Sequence, residues 1–264
     1  MNQDKTLEDR PAFQPVRLTM GVEGLDDILE GGLPGRRIYL IEGQPGTGKT
    51  TLAIQFLLEG ARLGESCLYI TLSETKEELE GVALSHGWSL EGINVYELSP
   101  PEDSLKAESQ YTIFHPSEIE LGETTSAVLK EVERTAPQRV VFDSLSEMRL
   151  MAREPLRFRR QILSLKQYFG GRESTVLLLD DKVYDGQDLQ VQSIAHGVIS
   201  LEHLAVEYGA ERRRLRVSKL RGSRFRGGYH DFTIETGGVV VFPRLVAAEH
   251  RRKFSKESIN SGVK

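Results

Sequence analysis

The sequence predicts an α/β fold, a mostly parallel sheet flanked by helices with C-terminal antiparallel hairpins. Three observations carry this reading. The run Gly43-Gln44-Pro45-Gly46-Thr47-Gly48-Lys49-Thr50-Thr51 is a complete G-x-x-x-x-G-K-[ST] phosphate-binding loop. It lies between the apolar run Ile38-Tyr39-Leu40-Ile41 and a segment in which Leu52, Ile54, Phe56 and Leu57 recur at helical spacing. Strand-like and helix-like segments then alternate, the signature of a parallel sheet covered on both faces. From Gly197 the pattern changes to short β runs separated by the turns Tyr208-Gly209-Ala210 and Gly237-Gly238.

In order along the chain, residues 1–16, with Pro11, Pro15 and many charges, read as a flexible leader, so the folded domain is expected over 17–246. Gly21 to Leu29 reads as a short helix, and Gly31-Gly32-Leu33-Pro34-Gly35 as a turn into the first core strand. After the helix from Lys49 to about Leu63 come a strand at Ser66–Leu72, a helix at Lys76–His86 and a strand at Asn94–Leu98. An irregular stretch from Ser99 to about Leu121 is expected next, then a helix at about Thr124–Thr135 and a strand at Arg139–Asp143. A helix around Leu156–Phe169 and a strand at Thr175–Leu179 complete the alternation. The hairpin strands are expected at Val198–His203, Arg212–Lys219, Phe232–Glu235 and Val239–Phe242. The tail, 247–264, is a polar linker. Its last six residues, Ile259 to Lys264, align without gaps to Leu18–Glu23, which points to the start of a second repeat.

Composition narrows the function. A 39% hydrophobic content supports a substantial core in 264 residues. With 34 basic against 39 acidic residues the net charge is −5, which argues against a protein that coats nucleic acid. The one cysteine, Cys67, lies inside an apolar run and reads as a core residue; one chain can build neither a disulfide nor a cysteine zinc site. Met1 to Arg10 lacks an apolar signal region and no run approaches bilayer-spanning length, so a cytoplasmic protein without membrane contact is expected.

The loop implies nucleoside triphosphate binding. Its glycines let backbone N–H groups turn inward, so that Gly43, Pro45, Gly46, Thr47, Gly48 and Thr51 shape a phosphate cradle at a helix N-terminus. Lys49 is the cation for the β/γ-phosphates and Thr50 the hydroxyl for Mg2+. Val140-Val141-Phe142-Asp143 is an apolar strand ending in a carboxylate, so Asp143 is the second metal-site residue. Hydrolysis needs a group that orients or deprotonates water, and Glu74, after the second strand, is the candidate; the alternative is an acid favoured in a first helical turn. Asp180-Asp181 is a second acidic candidate. The stretch Arg212 to Arg221 allows three readings: a solvated strand face, a nucleic-acid contact, or cations inserted beside a neighbouring subunit's nucleotide.

Further residues complete a resemblance. Gly24-Leu25-Asp26 before Gly31-Gly32-Leu33-Pro34, Ser85-His86-Gly87-Trp88, Phe142-Asp143-Ser144, and Lys219-Leu220-Arg221-Gly222 followed by Phe232-Thr233-Ile234 resemble the KaiC-like ATPases of the RecA superfamily. The likeness spans about Leu18 to Leu245 and is strongest to the N-terminal ATPase domain of a circadian-clock KaiC-type protein. It implies a RecA-like P-loop ATPase core, ATP and Mg2+ as ligands, a homohexameric ring with nucleotide between subunits, and a KaiB-like protein partner. It also implies that Lys219 and Arg221 act on the adjacent subunit's nucleotide. Two departures stand out. The family's pair of adjacent glutamates is here Ser73-Glu74, so Glu74 alone is left for the water-positioning role; and Gln192-Ser193 replaces the family's Ser-Thr phosphorylation pair. A nucleic-acid-dependent motor of the same superfamily is the rival reading.

Overall fold

The computed structural model describes residues 16–98, 116–182, 189–205, 208–209 and 211–245, without the side chains of 116–120 and 189–190. Residues 1–15 of the expected leader, and the linker with its repeat-like end, lie outside the described residues. In chain order the elements are β1 (Arg17–Leu18), α1 (Glu23–Ile28), β2 (Leu33–Pro34), β3 (Ile38–Gly43), α2 (Lys49–Arg62) and β4 (Cys67–Thr71). Then come α3 (Lys76–Ser85), β5 (Ile93–Glu97), α4 (Pro116–Thr135), β6 (Arg139–Asp143), α5 (Leu145–Ala152) and α6 (Pro155–Phe169). The last are β7 (Thr175–Asp181), α7 (Leu189–Ile194), β8 (Gly197–Leu204), β9 (Arg212–Leu220), β10 (His230–Glu235) and β11 (Gly238–Phe242).

Nine strands form one sheet in the order β11-β10-β9-β8-β3-β7-β6-β4-β5. From β8 to β5 all neighbours are parallel, whereas β9, β10 and β11 add on by antiparallel pairing. The expected fold class is therefore the observed one. Strand alternation divides the core into two layers. Tyr39, Ile41, Tyr69, Val141, Leu177 and Leu179 pack on one face with α1, α2 and Leu79 of α3. Ile38, Leu40, Leu68, Ile70, Val140, Phe142, Val176 and Leu178 pack on the other with α4, α5, α6 and α7. Such near-continuous apolar runs are what strands covered on both faces require.

Several elements differ from the sequence expectation. α4 begins at Pro116, inside the stretch expected to be irregular. Gly122 and Thr124-Thr125-Ser126 look like a helix start, but Thr125 turns its hydroxyl back to the Leu121 carbonyl (2.8 Å) and the helix runs through. α5 and α7 were not anticipated, being eight and six residues long, too short to show a period. The glycine-rich turn before β3 contains β2, which pairs with β1 as Arg17↔Pro34 and Leu18↔Leu33. Cys67 is a core residue as expected, its thiol donating to the Leu57 carbonyl at 3.2 Å and pushed up to about 11 by burial.

The entry segment is tied down by Asp26, whose Oδ1 accepts the Met20 N–H at 2.7 Å. Burial, with the Glu59 carboxylate adding to it, raises the Asp26 carboxyl from the ordinary 3.8 to about 6. A raised folded-state pKa contributes stability below the unfolded value, and that contribution is lost as pH rises through the folded one. Asp26→Asn should thus flatten the pH dependence of the denaturation midpoint between about pH 4 and pH 7. It should also stabilise the protein at neutral pH by roughly 1–2 kcal/mol, after discounting for partial exposure. A variant less stable than the parent at neutral pH would show that the charged carboxylate is net favourable.

Candidate nucleotide-binding site

The parallel strands deliver the site to one edge. β3 ends at Gly43 in register with Asp181 of β7 and Leu201 of β8, while Thr71 of β4 pairs with Asp143 of β6. The phosphate loop leaves β3 there and enters α2 through Gly48, whose φ of +100° is a left-handed conformation that favours glycine. A Cβ on Gly48 would lie 2.6 Å from Ile234 Cδ1, and one on Gly43 would lie 2.6 Å from Thr47 Oγ1 and 2.7 Å from the Leu201 carbonyl oxygen. The loop is thus packed closely by β8 and β10. Thr47 is fully buried and its hydroxyl donates to the Gln44 carbonyl (2.8 Å), Thr51 is buried in the first turn of α2, and Pro45 and Gly46 face solvent.

Lys49 is almost wholly buried. Its ammonium lies 2.8 Å from Asp181 Oδ1 and donates to the carbonyls of Gly43 (2.9 Å) and Gln44 (3.1 Å). Those oxygens hold a charge that phosphate oxygens would otherwise meet. Thr50 donates to Asp143 Oδ2 at 3.2 Å, so the two residues expected at a metal are already in contact. Both present hard oxygen donors, which suits Mg2+; this cation is held largely by phosphates and water, with one or two protein oxygens completing its shell. No group of three or more His, Cys, Asp or Glu forms a metal cage among the described residues, in keeping with that mode.

Asp143 is buried, which raises its carboxyl, against the lowering effects of hydrogen bonds from Tyr69 and Thr50 and of the Lys49 charge. Glu74 comes to the same edge because the Thr71 hydroxyl pins the turn after β4, accepting from Glu74 N–H (3.0 Å) and donating to the Glu74 carbonyl (2.8 Å). Its carboxyl is raised by burial first and by the Asp143 and Glu78 charges next. Glu74 Oε2 is buried with no hydrogen-bond partner. A buried acceptor without a donor is costly, and an ordered water would satisfy it. Thr75, not Glu74, caps α3, in a capping box with Glu78. The other acidic candidates are engaged: Asp180 pairs with Arg149 at 2.5 Å, and Asp181 holds Lys49.

Lys219 and Arg221 are not part of this edge. Lys219 is paired with Val198, which lies beside Leu40, whereas Gly43 lies level with Leu201 and Leu215. Three residues along β3 or β8 is roughly 10 Å, beyond a lysine side chain's reach. Instead Lys219 donates to the carbonyls of Gln192 (2.6 Å) and Ser193 (3.3 Å), and Arg221 to that of Ser193 (2.9 Å). Two other arginines of the basic stretch have acidic partners: Arg212 pairs with Asp231 at 2.6 Å and Arg214 with Glu202 at 2.7 Å. Arg214 also lies over the Tyr229 ring.

Three contributors escaped the sequence reading. Arg213 reaches over the loop and donates to the Gly46 carbonyl at 2.8 Å. Tyr69 donates to Asp143 Oδ2 at 2.5 Å. Glu42, buried one residue before the loop, accepts from Ser200 and from the Gln192 amide, each at 2.7 Å. Glu42 had a signal, a carboxylate at the end of an apolar strand. Arg213 was one of several arginines, and Tyr69 looked like any core aromatic.

With this geometry in place, comparison with known proteins is decisive. A model of the KaiC ATPase family matches residues 18–246. The chain belongs to the KaiC family of ATPases. It is 30% identical to a UPF0273 protein of Aeropyrum pernix, over 89% of this chain and 97% of that one. It is 26% identical to the circadian clock oscillator protein KaiC of Prochlorococcus marinus, over 99% of this chain but 52% of that protein. The crystal structure of a KaiC-like protein from Pyrococcus horikoshii superposes with a TM-score of 0.72 at 25% identity, covering 87% of this chain and all of the other. No helix among the described residues is long and apolar enough to cross a membrane.

Lys49→Ala should weaken ATP binding on the order of a hundredfold, since it removes the buried ammonium from the loop. Asp143→Asn should cost hydrolysis far more than binding, with its loss of binding confined to the Mg2+ complex. Titration calorimetry and phosphate release check both; parent-like behaviour in both variants would overturn the site assignment.

Proposed function

We propose that this KaiC-family chain is a Mg2+-dependent ATPase that assembles as a homo-oligomeric ring of six, with ATP bound between subunits. The observation that carries the reading is the separation of Lys219 and Arg221 from their own phosphate loop. They sit at the amino end of the sheet, and their charges repel one another and Lys166, so that Lys219 is lowered by partial burial and then by Arg221 and Lys166. A neighbouring subunit's phosphates are the anion such a pair would meet. Cations supplied in trans stabilise the charge that develops during phosphoryl transfer.

In the proposed mechanism Lys49 leaves Asp181 for the β/γ-phosphates, and the backbone N–H groups of the loop and of the α2 N-terminus hold the remaining oxygens. Thr50 and Asp143 would hold Mg2+, which when bound neutralises phosphate charge. Glu74 orients the attacking water and takes its proton; a carboxyl raised by burial and by Asp143 is suited to that exchange. ADP and inorganic phosphate are the products. Ser73 supplies no carboxylate, so turnover rests on Glu74 alone.

The output in this reading is conformational: nucleotide state alters the ring surface shown to a protein partner in a signalling or clock-like process, with a KaiB-like protein as the first partner to test. A cytoplasmic location accords with ATP as substrate. Nucleic acid is not favoured as a partner, because Asp231 and Glu202 neutralise Arg212 and Arg214. Single-stranded DNA should leave the ATPase rate unchanged; strong stimulation would favour the nucleic-acid motor instead.

Two experiments test the mechanism. Glu74→Gln should keep nucleotide binding and lose on the order of 10²-fold in turnover; an unchanged rate would move the base elsewhere. Lys219→Ala with Arg221→Ala should abolish hydrolysis in homogeneous assemblies. Mixing those subunits with Lys49→Ala subunits should restore part of it, since each supplies what the other lacks. Verified mixed rings without rescue would contradict action in trans.

A further inference from the structure

We propose that Tyr69 is a positioning residue of the metal–nucleotide site, acting through Asp143; this rests on the metal role assigned to Asp143 above. Tyr69 lies in mid-β4, fully within the apolar layer beneath α2, between Leu68 and Ile70. Its partner across β6 is Val141, two residues before Asp143. Two residues along a strand is roughly 7 Å, a distance that a phenol pointing along the sheet covers. The ring could fill this part of the core as phenylalanine. A buried hydroxyl is costly unless it is hydrogen-bonded, and here its partner is the Asp143 carboxylate.

The arrangement on Asp143 shows what the phenol does. Tyr69 at 2.5 Å and Thr50 at 3.2 Å both donate to Oδ2, and neither touches Oδ1. If the Thr50 hydroxyl turns to a metal, Tyr69 is the donor that still fixes the carboxylate plane. Without it the carboxylate could rotate, with Thr50 withdrawn and Glu74 as a like-charged neighbour. The hydroxyl therefore presents Asp143 to the cation in one orientation, and belongs to the site although its ring belongs to the core.

The test is the affinity of the full chain for a fluorescent ATP analogue, measured with Mg2+ and with EDTA, for the parent, Tyr69→Phe, Asp143→Asn and the double variant. Tyr69→Phe should bind like the parent in EDTA and about tenfold more weakly with Mg2+, the scale of one hydrogen bond to a charged group. In the Asp143→Asn background it should cost nothing further. Equal weakening with and without Mg2+, a full extra loss in that background, or no loss at all would each overturn the role. If Asp143→Asn itself leaves the Mg2+ dependence intact, the metal assignment has failed first, and the inference with it.

Discussion

Parallel strands end together, and four charged groups of the proposed site hang from such ends. Lys49 follows β3, Asp181 closes β7, Asp143 closes β6 and Glu74 follows β4. The register that aligns Gly43 with Asp181 and Thr71 with Asp143 is fixed by two buried faces; a slip of one residue would turn each apolar set onto the wrong layer. The site is therefore a consequence of core packing.

That convergence creates an electrostatic problem. Asp181 raises Asp143, and Asp143 raises Glu74, while Lys49 is the cation set directly among them. A triphosphate added to this edge brings several more negative charges close to the buried Asp143. Burial makes such repulsion expensive. In the proposed reading a divalent cation on Thr50 and Asp143 would relieve part of it, and positive groups from another copy would relieve the part that develops in the transition state. The same charge balance is what the proposed metal and the proposed neighbour would both serve. It also fits Tyr69, a neutral donor on Asp143 placed where another cation would compete with the proposed metal.

Much of this was legible in the sequence because the chemistry is local. The phosphate loop, the strand ending in Asp143 and the Lys219-Leu220-Arg221-Gly222 turn are each written in a few consecutive residues, and the α/β alternation follows from apolar periodicity. What stayed hidden depends on contacts between residues distant in the chain. Tyr69 meets Asp143 across neighbouring strands, Arg213 of β9 crosses to the Gly46 carbonyl of the loop, and Glu42 is held by Gln192 of α7. Short elements were hidden for another reason: α5 and α7 hold too few turns to display a period, and the start of α4 was masked by Gly122 and a run of hydroxyl residues.

The central claim is that one chain does not contain a complete site. Light scattering of the full chain, with and without ATP and Mg2+, tests it most directly. The account expects assembly with both ligands into a closed species of six chains of 29.6 kDa each. A monomer that persists with ATP and Mg2+ while hydrolysing at a rate per chain independent of protein concentration would contradict it.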